Sequence, residues 1–325
     1  MKKTVKKFLL KALPVIVAVV FIFTLATQIV SGAEYLTEQL DVSNSPLKDF
    51  VVGPGKVELE IEPGGTAVTQ ITVTNRMGST RNFSLGVEDF TGSRNPGEVL
   101  VLLGDDRGPY SLRDFLHFEN NTFQLKNGER AKIPVRVTLP SDAQPGGLYG
   151  SILVSTTAQE SSSAQKSAIV LRLSASFFVK VPGDVKEDGL LKGFATANNK
   201  KVFGGGPITF RLLYENNGSV HVNPYGEIRI KNMLGEEVGF VEVDPWFALP
   251  QSLRLREVSW DRSLLAGRYT ATASINRGYG DIVDVQTISF WVLPWKIILG
   301  VFVAVLFLVF LLKFIFSRFE IKMKK

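Results

Sequence analysis

The sequence predicts an all-β protein: two tandem β-sandwiches, an N-terminal signal segment before them and a C-terminal transmembrane helix after them. Three observations carry this. Apolar residues alternate with polar ones through most of residues 34–290, as along strands with one buried face. Turn signals built on Gly, Pro and Asn separate these runs. The charge is also divided: the net +6 splits into +5 for residues 1–33, −4 for 34–290 and +5 for 291–325. Basic ends beside apolar runs describe membrane topology rather than a nucleic-acid footprint.

At the N-terminus, Lys2, Lys3, Lys6, Lys7 and Lys11 precede the uncharged run Ala12–Val30, and Ser31-Gly32-Ala33 supplies the small residues a signal peptidase reads. Residues 1–33 are a signal peptide cleaved after Ala33, or an uncleaved N-terminal anchor. At the other end Ile297–Leu312 lies between Lys296 and Lys313 and extends through Val292, Leu293 and Phe316. The expected transmembrane helix is 291–316, with Trp291 and Trp295 as interfacial aromatics. The basic tail 317–325 places the C-terminus in the cytoplasm and the bulk of the chain outside, in a single-pass cell-membrane protein. Lipid is therefore an expected partner through the C-terminal helix.

The exported part divides at Val181-Pro182-Gly183-Asp184, giving a first sandwich over 34–182 and a second over 183–290. In the first, Val57, Leu59 and Ile61 alternate with Glu58 and Glu60. Phe83, Leu85 and Val87 form a second series, Ile133, Val135, Val137 and Leu139 a third, and Ile169 to Val179 the longest. Pro134 lacks an amide donor, so its strand is expected to lie at a sheet edge or to pair on one side only at that point. Turns are expected at Glu62–Gly65, Lys126–Gly128 and Pro145–Gly147, and a short helix capped by Ser111 over Leu112–Leu116. Residues 158–167 read as a mobile hairpin loop.

In the second sandwich the alternating series are Ile208–Tyr214, Ile228 and Ile230, Leu253 and Leu255, and Tyr269–Ile275. The two sets resemble each other. The strand from Gly64-Gly65 to Val73-Thr74-Asn75 parallels that from Gly205-Gly206 to Glu215-Asn216-Asn217. Units of this size, with many short strands, fit immunoglobulin-like sandwiches.

The chain has no Cys and two His, which removes disulfide frameworks, zinc-thiolate sites and Cys nucleophiles. His221 alternates with Val220 and Val222 and reads as a surface residue; His117, beside Phe115 and Phe118, reads as edge-of-core packing. No Gly-x-Ser-x-Gly elbow occurs. Glu88-Asp89 and Asp105-Asp106 are acidic pairs, but no EF-hand spacing surrounds them. Gly204-Gly205-Gly206 lacks the ending of a phosphate loop and reads as a turn. Sequons stand at Asn82, Asn120 and Asn217. Trp246 and Phe247, between Pro245 and Pro250, form either a binding tip or a loop tucked over a sandwich end. No catalytic, cofactor-binding or metal-binding residue is assigned. No enzyme activity, nucleic-acid partner, cofactor or small-molecule substrate is expected.

The order of parts, with Pro63-Gly64-Gly65-Thr66 at a strand start, Phe123-Gln124-Leu125, and Pro145-Gly146-Gly147-Leu148-Tyr149-Gly150, resembles the WxL-interacting proteins of bacterial cell envelopes. That resemblance implies a first domain associated with peptidoglycan and a second that contacts proteins. The expected function is non-catalytic binding of cell wall or an envelope protein. An accessory to an envelope glycan hydrolase and an assembly chaperone for exported subunits are the alternatives.

Overall fold

The computed structural model describes residues 35–42, 48–156 and 170–318. The expected signal segment 1–33, the loop 158–167 and residues 319–325 of the expected tail lie outside them. The described chain is mostly β, with several sheets and one C-terminal helix. The strands of its first half are β1 (Leu36–Gln39), β2 (Phe50–Gly53), β3 (Lys56–Glu60), β4 (Thr66–Asn75), β5 (Arg81–Thr91), β6 (Val101–Leu102), β7 (Leu116–His117), β8 (Thr122–Leu125), β9 (Glu129–Thr138), β10 (Gly146–Thr156) and β11 (Arg172–Val181). Those of its second half are β12 (Gly189–Thr196), β13 (Val202–Phe203), β14 (Ile208–Asn216), β15 (Tyr225–Asn232), β16 (Glu237–Val243), β17 (Ser252–Trp260), β18 (Gly267–Asn276) and β19 (Val283–Val292). Helix α1 (Trp295–Arg318) follows.

In the first half one sheet runs β1-β9-β4-β2, with β7 also on β9. The other runs β3-β11-β10-β5-β6, with β8 also on β5. The alternating residues point inward from both sheets. Ile71 and Val73 of β4, Ile133, Val135 and Val137 of β9, Phe83 of β5, Ile152 and Val154 of β10 and Phe177 and Val179 of β11 form one apolar cluster. Each such buried side chain contributes about 1.5–3 kcal/mol of transfer free energy, so period-two burial is what selects this register. Pro134 faces Gln70 of β4 on one side. On its other side lies the gap between β1, which pairs as far as Lys132, and β7, which pairs from Arg136. The imino nitrogen thus sits where no ladder bond is needed.

The second half repeats the arrangement. Its sheets run β12-β14-β17 and β13-β19-β18-β15-β16. The order β12-β14-β17 answers to β2-β4-β9, and β13-β19-β18-β15 to β3-β11-β10-β5. In both halves the first strand of the larger sheet pairs parallel, β3 with β11 and β13 with β19. Phe210, Leu212 and Tyr214, Ile228 and Ile230, and Ala271, Ala273 and Ile275 make the second cluster. The expected inward series Leu253 and Leu255 needs correction. They pair with Glu215 and Leu213 on the face turned away from this cluster and are half-buried, whereas Arg254, Arg256 and Val258 stand opposite Tyr214, Leu212 and Phe210.

The repeat extends to one buried amide. At the end of β4, Asn75 Nδ2 donates to the carbonyls of Ser79 and Leu125, both at 2.9 Å, and its Oδ1 accepts the Met77 amide at 3.0 Å. At the end of β14, Asn216 Nδ2 donates to Val220 and Ala248, both at 2.9 Å, and its Oδ1 accepts the Gly218 amide at 2.8 Å.

Three local expectations need correction. The short helix is a 3₁₀ turn, Arg113–Phe115, and Ser111 does not cap it. The Leu112 and Arg113 amides instead donate to Oδ1 of Asp89 on β5, both at 3.0 Å, so the acceptor comes from 23 residues upstream of Leu112. Residues 146–147 open β10 rather than forming a turn. Helix α1 begins at Trp295, since Trp291 and Val292 still belong to β19 and pair with β13. Val292 is fully buried in the second cluster. Over Trp295–Ile315, 21 residues, α1 is long and apolar enough to cross a membrane.

Candidate functional site

Between the two apolar clusters lies a third, made of Phe90, Tyr149 and Phe178 from the first half and Leu249 and Phe247 from the second. Close approach here depends on small residues. A Cβ on Gly92 would lie 2.5 Å from Cβ of Ser252, and the Gly147 amide donates to the Ser219 carbonyl at 3.1 Å. The Leu253 amide donates to the Ser93 carbonyl at 2.9 Å, and Arg94 pairs with Glu215 at 3.2 Å.

His221 is the centre of this joint, which corrects its reading as a surface residue. Its side chain is 9% exposed, and its ring packs edge-on against Tyr149 and Phe178. Its backbone amide donates to Oη of the buried Tyr149 at 2.8 Å, and that hydroxyl lies 3.2 Å from Nδ1. With Oη already accepting the amide, its own proton is directed at Nδ1, which makes Nε2 the protonated ring nitrogen. Burial lowers the imidazole pKa to about 4 against the opposing pull of Glu58, and Lys56 and Lys180 lower it further. The 3.7 Å separation of Nε2 from Glu58 Oε1 is therefore a polar contact of a neutral ring, not an ion pair at neutral pH. Burial pushes the Glu58 carboxyl up, but Lys56 and Asn223 outweigh it and hold the group below its ordinary value. Burial likewise raises the Tyr149 phenol far above its usual range. No nucleophile with an adjacent base arises here; the groups satisfy one another and fasten the two halves.

Of the two readings for Trp246 and Phe247, the tucked loop is the one observed. Trp246 is buried in the second cluster, edge-on to Tyr214. Phe247 packs on Phe178, with the Lys56 ammonium over both rings at 5.1 and 5.0 Å.

A second feature opens on the outer face of the first half. The gap beside Pro134 forms a groove of about 440 Å³ lined by Val68, Pro134, Phe118, Arg136, Glu119 and His117, among others. Val68 is 66% exposed on a strand whose other apolar residues are mostly sheltered. His117 is exposed, which corrects its expected place at the edge of the core. The floor is apolar and the rim carries a cation, a carboxylate and an imidazole, a chemistry suited to holding a polymer with both apolar and polar groups.

The other sequence candidates stay separate. Glu88 pairs with Arg172 at 3.0 Å, and Asp105 offers its carbonyl to Arg113. Among the described residues no group of three His, Asp or Glu side chains is placed to hold a metal ion. Gly204–Gly206 lead from β13 into β14. Asn82 accepts from Gln124 at 2.7 Å, the Asn120 amide donates to Tyr35 at 3.0 Å, and Asn217 meets Arg94 at the joint.

No family model and no curated protein matches the chain. Among solved structures it is similar to the class 5 fimbriae chaperone CfaA, at 10% identity and a TM-score of 0.37, over 74% of this chain and 99% of that one. A structure described as a chaperone-tip adhesin complex of CFA/I fimbriae matches at 12% identity and a TM-score of 0.36, covering 76% and 99%. The E. coli chaperone DraB matches at 14% identity and a TM-score of 0.34, covering 75% and 96%. At such identities and TM-scores the likeness assigns no function to this chain.

Proposed function

We propose that the chain is a membrane-tethered, non-enzymatic binding protein of the bacterial cell envelope, built from immunoglobulin-like sandwiches over 34–182 and 183–290. In this reading 1–33 directs export and α1 spans the cell membrane. The single supporting observation is the joint. Tyr149, His221, Phe178 and Phe247 lock the halves into a stiff strut, which suits a protein that presents a surface at a fixed distance. The groove at Val68, Pro134 and Arg136 is the contact we assign to cell-wall peptidoglycan or an envelope protein. The resemblance to WxL-interacting proteins implies partners of the same kind.

A second reading, an assembly chaperone, is favoured by one edge. β11 pairs with β3 only over Ser176–Lys180, so Arg172–Ala175 pair with β10 alone and leave their other edge open. Val170 and Leu173 are exposed beside it. An extended segment of an exported subunit would add there as a strand.

Full-length protein in lipid nanodiscs, mixed with purified sacculi and with unfolded envelope subunits, separates the readings. Sacculus binding lost in Arg136→Glu supports the groove. Subunit capture lost in Leu173→Lys supports the edge. If neither material is retained, the binding proposal fails.

A further inference from the structure

We infer that the helix-proximal end of the second half rests on the membrane surface, with the tips of the β15–β16 and β17–β18 loops inserted among anionic lipid headgroups. This rests on the proposal that α1 spans the membrane. The Leu293 amide still donates to the Phe203 carbonyl of β13 at 2.8 Å, and α1 begins at Trp295, so only Pro294 separates the last sheet bond from the helix. A Cβ on Gly204 would touch the Trp295 indole at 3.4 Å. Two residues of chain reach about 7 Å at most. The interfacial layer on each side of the hydrocarbon is roughly 5–8 Å deep. With Trp295–Ile315 in the bilayer, the sheet end has nowhere to stand except in that layer.

The loops at this end carry the side chains such a position needs. Strand registers place the end of β19, the starts of β13 and β18 and the β15–β16 turn side by side. Met233 and Leu234 at that turn are 66% and 77% exposed, and Leu264 in the β17–β18 loop is 72% exposed. These apolar tips, on loops 233–236 and 261–266, belong to neither core cluster. Around them stand Lys200, Lys201, Lys231, Arg262, Arg268 and Lys296. Asp261, Glu236 and Glu237 oppose these six cations, and Glu237 is already engaged by Arg229 at 3.3 Å. The net positive charge, ringed about apolar tips, matches an anionic interface.

The chain has no Cys, so single-cysteine variants of the full-length protein report one site each. An environment-sensitive fluorophore is attached at Leu234→Cys, Leu264→Cys, Leu306→Cys in α1, and Ile282→Cys at the far end of the same sheet. Each variant is reconstituted in vesicles of phosphatidylcholine and phosphatidylglycerol. Spin labels at the headgroup should remove most of the emission at 234 and 264, and aqueous iodide should not. The probe at 282 should show the reverse, and that at 306 should be quenched by a deep acyl label. If 306 is deep while 234 and 264 behave like 282, the inference is overturned and the span stands. If 306 itself is open to iodide, the span fails and the inference with it.

Discussion

Replacing Tyr149 by Phe removes one oxygen from the joint and nothing from its packing. That oxygen accepts the His221 amide at 2.8 Å and lies 3.2 Å from His221 Nδ1. Both partners sit where water does not enter, since Tyr149 is fully buried and the His221 side chain nearly so. A buried donor left unsatisfied costs about 1–3 kcal/mol. Taking about 2 kcal/mol for local opening at the joint, His221 amide exchange should accelerate about 30-fold, at one decade per 1.4 kcal/mol. Hydrogen–deuterium exchange on the full-length protein reads this in a peptide spanning residues 219–223. A peptide from the centre of β10 should keep its wild-type rate. Unchanged exchange at 219–223, or equal acceleration in both peptides, would refute the claim that this hydroxyl fastens the halves.

Three further outcomes follow from the same structure. His221 is held neutral with its pKa lowered from 6.5 to about 4. The unfolded state therefore binds a proton that the folded state refuses as pH falls from about 6.5 to 4, so the contribution of His221 to stability declines by about 3 kcal/mol across that window and is constant above it. Urea midpoints in His221→Gln should lose that part of the slope; an unaltered slope would exclude His221 as its source. Asn216→Ala strips two buried carbonyls and one buried amide of their partner and should cost about 2–3 kcal/mol in urea unfolding; Asn75→Ala strips one buried carbonyl, that of Leu125, while Ser79 is exposed to water, and should cost about 1–2 kcal/mol. Gly226→Ala would place a Cβ 2.1 Å from the Ser274 carbonyl and should cost about 1–3 kcal/mol, whereas Gly86→Ala, with nothing within 4 Å, should be nearly neutral in the same assay.

The strands were legible because period two is a local signal. Ile133, Val135 and Val137 announce an inward face whatever sheet they join, and Pro134 announces its one-sided pairing by a missing donor. The joint was not legible. Val220-His221-Val222 reads as an alternating strand with His outward, and the Tyr149 hydroxyl that buries it comes from 72 residues away. The aromatic pair Trp246-Phe247 was visible as an anomaly in a loop, but nothing local says that Phe178 and Lys56 cover it. Ser111 was the nearest cap in sequence, and Asp89 outcompeted it from a neighbouring strand. The start of α1 was misplaced for a different reason. Hydropathy runs unbroken from β19 into the helix, and a buried strand end and a lipid-facing turn are equally apolar; Pro294 was the usable mark.

The paired amides of Asn75 and Asn216 have a consequence for how the protein is made. Asn75 ties β4 to the carbonyl of Leu125 in the opposite sheet, and Asn216 ties β14 to the Ala248 loop, each without a covalent bond. Many exported sandwiches entrust that cross-sheet link to a disulfide, which needs an oxidant and admits wrong partners. Here the link is assembled by folding itself. With no Cys in the chain, refolding from urea should proceed at the same rate and to the same yield with or without reductant.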